Sequence, residues 1–208
     1  YCRKFDQFPN KELKKLNNRI IEGKIKVGFL SPDFKNHSVS FFLEGILNQI
    51  DKNDFELFAL SNLEITKNDD MTRRLKKIFN HWEDVSNLND LDFIELTRKL
   101  DLDILIDLSG YFVGNRIQAL RARCAPVQIS WLGYCNSLGI ENMDYLIADK
   151  NLIPTSEQNQ YSEKILYMPN IWCTITPSED LEKIDIIKNK KNEIFTYGSF
   201  NNFQKISN

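Results

Sequence analysis

The feature that most constrains the fold is a pair of almost continuously apolar runs, KIKVGFL at residues 24–30 and LDILIDL at residues 102–108. Runs of this length and composition are typical of strands that are buried on both faces of a parallel sheet. A loop and then a stretch of helical pattern follow each run. The two runs therefore predict repeated strand-loop-helix units, in which each loop begins at the carboxyl end of a strand.

The remaining predicted elements continue this alternation. Strands are predicted at residues 55–60, 81–86, 127–133 and 144–149, and helices at residues 39–50, 68–79, 90–100 and 115–123. Strands that alternate with helices predict a mostly parallel sheet covered on both faces. The expected fold class is therefore α/β, as a Rossmann-like three-layer lobe. A short charged helix, KELKKLNNRII at residues 11–21, precedes the first strand.

Charge, cysteine spacing and hydropathy exclude several classes of partner. The chain has 27 basic and 29 acidic residues, a formal net charge of -2, so no overall positive field attracts nucleic acid or anionic lipid. The four cysteines are far apart and form no CxxC or Cys/His pair of the zinc type. No apolar run reaches the roughly 18 residues of a membrane span. We expect no metal, nucleic acid or membrane partner, and a cytoplasmic location.

Three loops at the carboxyl ends of predicted strands form the candidate ligand site, because ligands of open parallel sheets bind at that edge. The loops are SPDFKNHS, SGYFVGN and GYCNSLG, at residues 31–38, 109–115 and 133–139. None contains a Walker or GxGxxG fingerprint. The second and third are also compatible with ordinary glycine turns. The candidate substrate-binding residues of the three loops are Asn36, Ser38, Gly110, Tyr111, Gly133 and Tyr134.

His37 is the candidate catalytic residue of the first loop. It precedes a helix whose N-terminal amides suit an anion, and an imidazole there can act as a base or hydrogen-bond partner near neutral pH. The alternative is that Asn36 or Ser38 caps the helix and His37 lies on the surface. The same two interpretations apply to Asp33. The second histidine, His81, is interpreted as a packed residue at the start of a strand.

Five blocks of sequence, from about residue 24 to the end of the chain, stand in the order of a known family. They are KVGFLSPDFKNHSVSFFLEGIL, DILIDLSGYFVGNR, RCAPVQISWLGYCNSLGIENMDYLIAD, QYSEKILYMPN and FTYGSFNNFQKI. Together they resemble the catalytic region of the O-GlcNAc transferase and SPINDLY family of protein O-glycosyltransferases, and the NHSVS form is closer to the SPINDLY branch. The resemblance implies the N-terminal half of a two-lobed GT-B fold, behind tetratricopeptide repeats in the full-length protein.

Members of that family transfer a sugar from a nucleotide diphosphate donor to Ser or Thr hydroxyls of proteins, with inversion at the anomeric carbon and without a metal. The resemblance therefore implies a glycosyltransferase that needs no cofactor. Its partners would be a nucleotide sugar, either UDP-GlcNAc or GDP-fucose, and protein acceptors. The alternative is a lobe that binds small ligands or partners without catalysis.

The resemblance also assigns roles to individual residues. His37 matches a histidine that lines the cleft of donor and acceptor. Lys205 matches a catalytic lysine at the donor diphosphate, where a fixed cation stabilises the charge that grows as the glycosidic bond breaks. Asn202 stands where O-GlcNAc transferases have a glutamine, and Asn201 is a further substrate-binding candidate beside it. The departures from the family pattern are Glu95 for an aspartate, Arg98 for a histidine and Cys135 for a proline.

The domain organisation follows from the same resemblance. Residues 1–23 are expected to be a leading helix and linker after a missing N-terminal region, and residues 24–177 the N-terminal Rossmann-like lobe. Residues 178–193, which are polar and charged, are expected to be a linker. Residues 194–208 would be the first strand and phosphate loop of a truncated C-terminal lobe. Since most of the donor site would lie in that lobe, the 208 residues alone are expected to have no transferase activity.

Overall fold

The computed structural model describes residues 23–175 and Gly198. The chain divides into two units, Tyr1–Thr176 and Pro177–Asn208, and the fold below is that of the first. Apart from Gly198, the predicted segments before residue 23 and after residue 177 lie outside the described residues. The division into four segments therefore stays a prediction.

Strands and helices alternate through residues 23–175 as the sequence predicts. The strands are β1 (Ile25–Ser31), β2 (Phe55–Ser61), β3 (His81–Asp84), β4 (Ile104–Asp107), β5 (Val127–Ser130), β6 (Tyr145–Ala148) and β7 (Lys164–Tyr167). The α-helices are α1 (Ser38–Leu47), α2 (Asp70–Ile78), α3 (Asp90–Leu100) and α4 (Ile117–Arg121), and two 3₁₀ helices cover Ile65–Lys67 and Thr155–Gln160. In this part of the chain no helix has the length and apolarity that a membrane crossing requires.

All seven strands join one parallel sheet in the order β3-β2-β1-β4-β5-β6-β7. β1 lies inside the sheet, since Val27 pairs with Leu57 of β2 on one side and with Ile104 of β4 on the other. The strand order reverses between β1 and β4. At such a reversal a crevice opens outside the carboxyl ends of the strands, and ligands of doubly wound folds bind there. The predicted α/β lobe is confirmed, and its sheet is parallel throughout.

Helices cover both faces of the sheet, which gives three layers. Alternate residues of β1 face opposite sides, with Phe29 in one apolar cluster and Leu30 in the other. On the side of Phe29, α1 and α2 contribute Val39, Leu43, Leu47, Met71, Leu75 and Ile78. On the side of Leu30, α3 and α4 contribute Phe93, Ile94, Ile117, Ala119 and Leu120. Each large apolar side chain buried in this way stabilises the lobe by about 1.5–3 kcal/mol.

Candidate functional site

The loops after β1, β4 and β5 cross one another at the reversal of strand order, and glycines permit these close approaches. A Cβ atom on Gly110 would lie 2.3 Å from the Cβ atom of Tyr134, which belongs to the loop after β5. A Cβ atom on Gly114 would lie 2.7 Å from Pro32 in the loop after β1. Both distances are far below van der Waals contact, and both glycines have positive φ, 55° and 82°. The structure thus brings the predicted residues Gly110 and Tyr134 together.

Gly133 lies at a third crossing. A Cβ atom on this residue would lie only 1.9 Å from the carbonyl oxygen of Leu108, just after β4, and 3.4 Å from Cγ2 of Val39. Val39 belongs to the first turn of α1 and follows His37 by two residues. The first turn of α1 therefore packs against the loop after β5, and the three predicted loops form one continuous edge.

The loop after β5 turns sharply at Leu132. The Gly133 amide donates a 3.0 Å hydrogen bond to the carbonyl of Trp131, which closes a γ-turn, and Leu132 has a φ of 74°. This conformation is strained for a leucine and persists only where the surroundings hold it, here through a side chain that is 5% exposed. The prediction that the strand continues to residue 133 is wrong for this reason, and β5 ends at Ser130.

Asp107, the last residue of β4, accepts hydrogen bonds from the start of the next loop, residues 109–115. Its Oδ2 accepts a 2.8 Å hydrogen bond from the Gly110 amide, and its Oδ1 accepts from the amide and hydroxyl of Ser109 at 3.4 and 3.3 Å. Burial raises the pKa of Asp107 to about 6, although the hydrogen bonds from Gly110 and Ser109 act in the opposite direction. Both protonation states of this carboxyl are therefore accessible near neutral pH.

Aromatic rings form the outer surface of the loop after β4. Tyr111 and Phe112 both meet the ring of Tyr134 edge-on, with centroids 5.7 and 5.9 Å apart. The Tyr111 hydroxyl donates a 2.5 Å hydrogen bond to the carbonyl of Leu138, which fixes the ring. Tyr111, Phe112 and Val113 are 50%, 57% and 96% exposed. This apolar surface, residues 111–113, can contact a planar or apolar ligand group at the carboxyl edge of the sheet.

His37 is the N-cap of α1. Its backbone is extended, and its Nδ1 accepts a 3.3 Å hydrogen bond from the Val39 amide. The part of the alternative in which Asn36 or Ser38 caps the helix is therefore wrong, whereas its other part, a surface position for His37, agrees with the exposure of the ring. Ser38 is the first helical residue, and the Asn36 amide donates instead to Oδ2 of Asp69, 2.6 Å away, at the start of α2. The ring of His37 is 41% exposed, so a ligand can reach it.

Arg116 connects the loops after β2, β3 and β4 and was not a sequence-based candidate. Its guanidinium is buried and donates to Oδ1 of Asn62, to Oδ1 of Asp90 at 3.1 Å and to the carbonyl of Val85 at 2.6 Å. Asn62 in turn donates to the carbonyl of Gly114 at 2.7 Å. A cation held in this way positions the loops around the site. Its only sequence signal is an arginine in the first turn of the helix predicted at residues 115–123.

The other candidate residues from the sequence either make contacts inside the lobe or lie outside the residues that the structure describes. His81 begins β3, stacks on Phe58 at a centroid distance of 4.3 Å, and shares a 2.7 Å hydrogen bond with Glu56 through Nε2. Arg98 donates to the carbonyl of Ala122 at 2.8 Å. Within residues 23–175 no cluster of three or more His, Cys, Asp or Glu side chains is arranged to hold a metal ion. The residues outside the description, whose roles stay predictions, are Asn201, Asn202 and Lys205.

Comparisons with known proteins agree with this geometry. The family model described as Glycosyl transferase family 41 matches residues 6–194. A probable UDP-N-acetylglucosamine–peptide N-acetylglucosaminyltransferase SPINDLY from Solanum lycopersicum is 30% identical over 195 residues, which are 92% of this chain and 21% of that protein. The protein of the same name from Arabidopsis thaliana is 31% identical over 89% of this chain and 21% of its own length. The chain thus spans about a fifth of the length of these relatives.

Among solved structures, a mutant of the O-GlcNAc transferase of Thermobaculum terrenum superimposes with a TM-score of 0.73 and 32% sequence identity. The match covers 76% of this chain and 30% of that one. The O-GlcNAc transferase has the GT-B fold, in agreement with the predicted N-terminal half of such a fold. From the family match and the identity to the SPINDLY relatives, the chain belongs to glycosyl transferase family 41, the family of the O-GlcNAc transferases and SPINDLY.

Proposed function

We propose that the chain is part of a protein O-glycosyltransferase, which moves a sugar from a nucleotide diphosphate donor to Ser or Thr hydroxyls of proteins. The observation that carries the proposal is the position of His37, at the start of α1 beside the crossing of the loops after β1, β4 and β5. Ligands bind at this reversal of strand order, and imidazole is the side chain best suited to proton transfer near neutral pH. The names of the relatives, peptide N-acetylglucosaminyltransferases, support the same activity.

In the proposed reaction the acceptor hydroxyl oxygen attacks the anomeric carbon while the bond from that carbon to the diphosphate breaks. A single displacement of this kind inverts the anomeric centre. His37 hydrogen-bonds to the acceptor hydroxyl, orients it and receives the proton that it loses. Lys205, by resemblance, stabilises the negative charge that develops on the diphosphate, together with helix amides. The proposed mechanism uses neither a metal nor a cofactor.

The remaining substrate contacts are proposed around His37. Asn36 and Ser38 are exposed on either side of it and can hydrogen-bond to a sugar or to an acceptor backbone. Tyr111 and Tyr134 offer ring faces and edges to apolar parts of the substrate. The glycines of the loop crossings let the neighbouring loops pack directly on their backbone, and this close packing holds the proposed contact residues together.

The proposal also includes the sugar donor and the cellular location. The names of the relatives point to UDP-N-acetylglucosamine, whereas the SPINDLY-like NHSVS form points to GDP-fucose. We propose a cytoplasmic location, because the thiols of Cys124, Cys135 and Cys173 are free, as is usual in a reducing compartment.

A second function, binding without catalysis, is favoured by the exposed apolar surface at residues 111–113, which suits a protein partner. Calorimetric titration with UDP-GlcNAc and with GDP-fucose distinguishes the two functions. The titrations use the 208-residue chain and the same chain extended by roughly another domain, about 170 to 200 residues. Binding of one donor to the extended protein supports the enzyme, and binding to neither protein contradicts it.

A further inference from the structure

Asp33 lies beside His37 in the loop between β1 and α1. Its Oδ2 is 3.7 Å from Nδ1 of His37, and its Oδ1 is 3.8 Å from Nζ of Lys35. The distance to the ring exceeds that of a hydrogen bond, so ring and carboxylate are neighbours that are not bonded in this arrangement. The carboxylate is only 19% exposed, and partial burial strengthens its electrostatic effect on the ring.

Three hydrogen bonds fix the backbone of Asp33 in this place. Its amide donates to Oγ of Ser31 at 3.0 Å. Its carbonyl accepts from the hydroxyl of Ser40 at 2.6 Å and from the amide of Lys35 at 2.7 Å. Ser31 ends β1 and Ser40 lies in the first turn of α1, and both are fully buried. The elements that position His37 therefore also hold the carboxylate next to its ring.

The Val39 amide and the Asp33 carboxylate require opposite protonation states of Nδ1 of His37. The amide is a donor, so it requires an Nδ1 without a proton, whereas the carboxylate is an acceptor and requires an Nδ1 that carries one. A neutral imidazole has a single N–H. In the first case Nε2 holds the proton and can only donate, and in the second case Nε2 has a free lone pair and can accept a proton.

We propose that Asp33 is a positioning residue that draws the proton of neutral His37 to Nδ1 and thereby makes Nε2 the base. The inference rests on the proposed function, because a base is needed only where an acceptor hydroxyl loses its proton. When the proton exchanges through solvent from Nε2 to Nδ1, the long 3.3 Å cap bond from the Val39 amide is lost and Nδ1–H turns to the charged acceptor Asp33. Hydrogen bonds to charged acceptors are stronger than those between neutral groups, and this difference opposes the cost of the lost cap.

The resulting step transfers one proton and replaces one C–O bond by another. The hydroxyl proton passes to Nε2 of His37 as the hydroxyl oxygen bonds to the anomeric carbon and the diphosphate leaves with the electron pair of the broken C–O bond. The ring is then an imidazolium, which the adjacent Asp33 carboxylate stabilises through Nδ1–H. Loss of a proton to solvent restores the neutral ring. A base that is held by a third group is the general pattern of activated nucleophiles.

Nitrogen-15 NMR of the imidazole rings tests the proposal on the chain itself, because the chain has only two histidines. The shift of each ring nitrogen reports whether it carries a proton. At a pH where both rings are neutral, Asp33→Asn keeps the size of the side chain and removes its charge. The ratio of Nδ1–H to Nε2–H in His37 should fall about 5-fold or more, as expected for loss of a hydrogen bond to a charged group. Equal ratios in the two proteins overturn the proposal.

The chain provides two controls for this measurement. His81 donates from Nε2 to the carboxylate of Glu56, 2.7 Å away, and its signals should be the same in both proteins. Lys35→Gln changes the charge of the loop by the same amount in the opposite direction and leaves Asp33 in place. The His37 ratio in that variant should stay close to the wild-type ratio. A rise as large as the fall in Asp33→Asn would reveal a general charge effect and overturn the proposal.

Kinetics of the full-length protein separate the inference from the proposed function. Asp33→Asn should lower kcat for sugar transfer about 10-fold or more, leave KM for the donor unchanged, and have no further effect when combined with His37→Ala. An unchanged kcat overturns the role of Asp33. If the wild-type protein transfers no sugar, the proposed function fails, and the NMR ratio still decides the role of Asp33 in placing the proton.

Discussion

Replacement of Asp107 by asparagine should change how the stability of the lobe depends on pH. The carboxyl of Asp107 is buried at the end of β4, and burial raises its pKa from the ordinary 3.8 to about 6. The shift is about two units, and each unit is worth about 1.4 kcal/mol. Ionisation of Asp107 in the folded chain therefore costs about 3 kcal/mol more than in the unfolded chain.

The sign follows from the direction of the shift. Between pH 3.8 and about 6 the folded chain holds the proton of Asp107 and the unfolded chain has released it. The free energy of unfolding must therefore fall as the pH rises through this window, by about 3 kcal/mol from this group alone. The amide of Asp107→Asn can still accept the bond from Gly110 but does not titrate, so this contribution is absent from the variant.

Urea unfolding of both proteins at a series of pH values, from about 3.5 to about 7.5, measures the effect. The free energy of the wild-type protein should fall relative to that of the variant across the window. Asp149→Asn is a control of opposite sign, because the hydrogen bond from the Leu152 amide lowers the pKa of Asp149. Its stabilising contribution is present at neutral pH and is lost as the pH falls. Parallel curves for wild type and Asp107→Asn would refute the reasoning about burial.

Three other predictions concern the edge of the sheet and the catalytic residues. Gly133→Ala should destabilise the chain by about 3 kcal/mol or more in urea unfolding, since the new Cβ atom would meet the carbonyl of Leu108. Gly139→Ala, with open space but positive φ, should lose only about 1–2 kcal/mol, and equal losses would contradict the loop crossing. In the full-length protein, His37→Ala should lower turnover about 10²- to 10⁴-fold with nearly unchanged donor affinity, whereas a surface residue would change stability by under ~1 kcal/mol and leave turnover intact. Lys205→Ala should lower turnover roughly 10²-fold or more, and an unchanged rate removes Lys205 from the mechanism.

The sheet was predictable because its signals are local. β1 and β4 follow from their apolar runs, and the alternation of strands with helices fixes a parallel sheet with covered faces. The end of β5 was not predictable, since it depends on a γ-turn at Leu132, a residue type with no preference for positive φ. The buried surroundings of Leu132, which lie far away in sequence, impose that conformation.

The site was predictable only in part. The carboxyl-edge loops could be chosen from the sequence, and Gly133 could be recognised as a turn residue, but its contact with Leu108 joins two different loops. The sequence offers Asn36 or Ser38 as the cap of α1 in one of its two interpretations, because their residue types are the preferred N-caps. His37 is the cap instead, because the three-dimensional course of the loop places its Nδ1 beside the Val39 amide.

The most direct test of the central claim is the mass of a Ser- and Thr-containing acceptor peptide after incubation with the full-length protein and each donor in turn, UDP-GlcNAc or GDP-fucose. The account predicts a mass increase of one sugar residue with one of the two donors. It also predicts that the increase is strongly reduced by His37→Ala and retained by Lys35→Gln, a matched change in the same loop. No increase with either donor, or an equal increase for wild type and His37→Ala, would contradict the proposed transfer of sugar at this site.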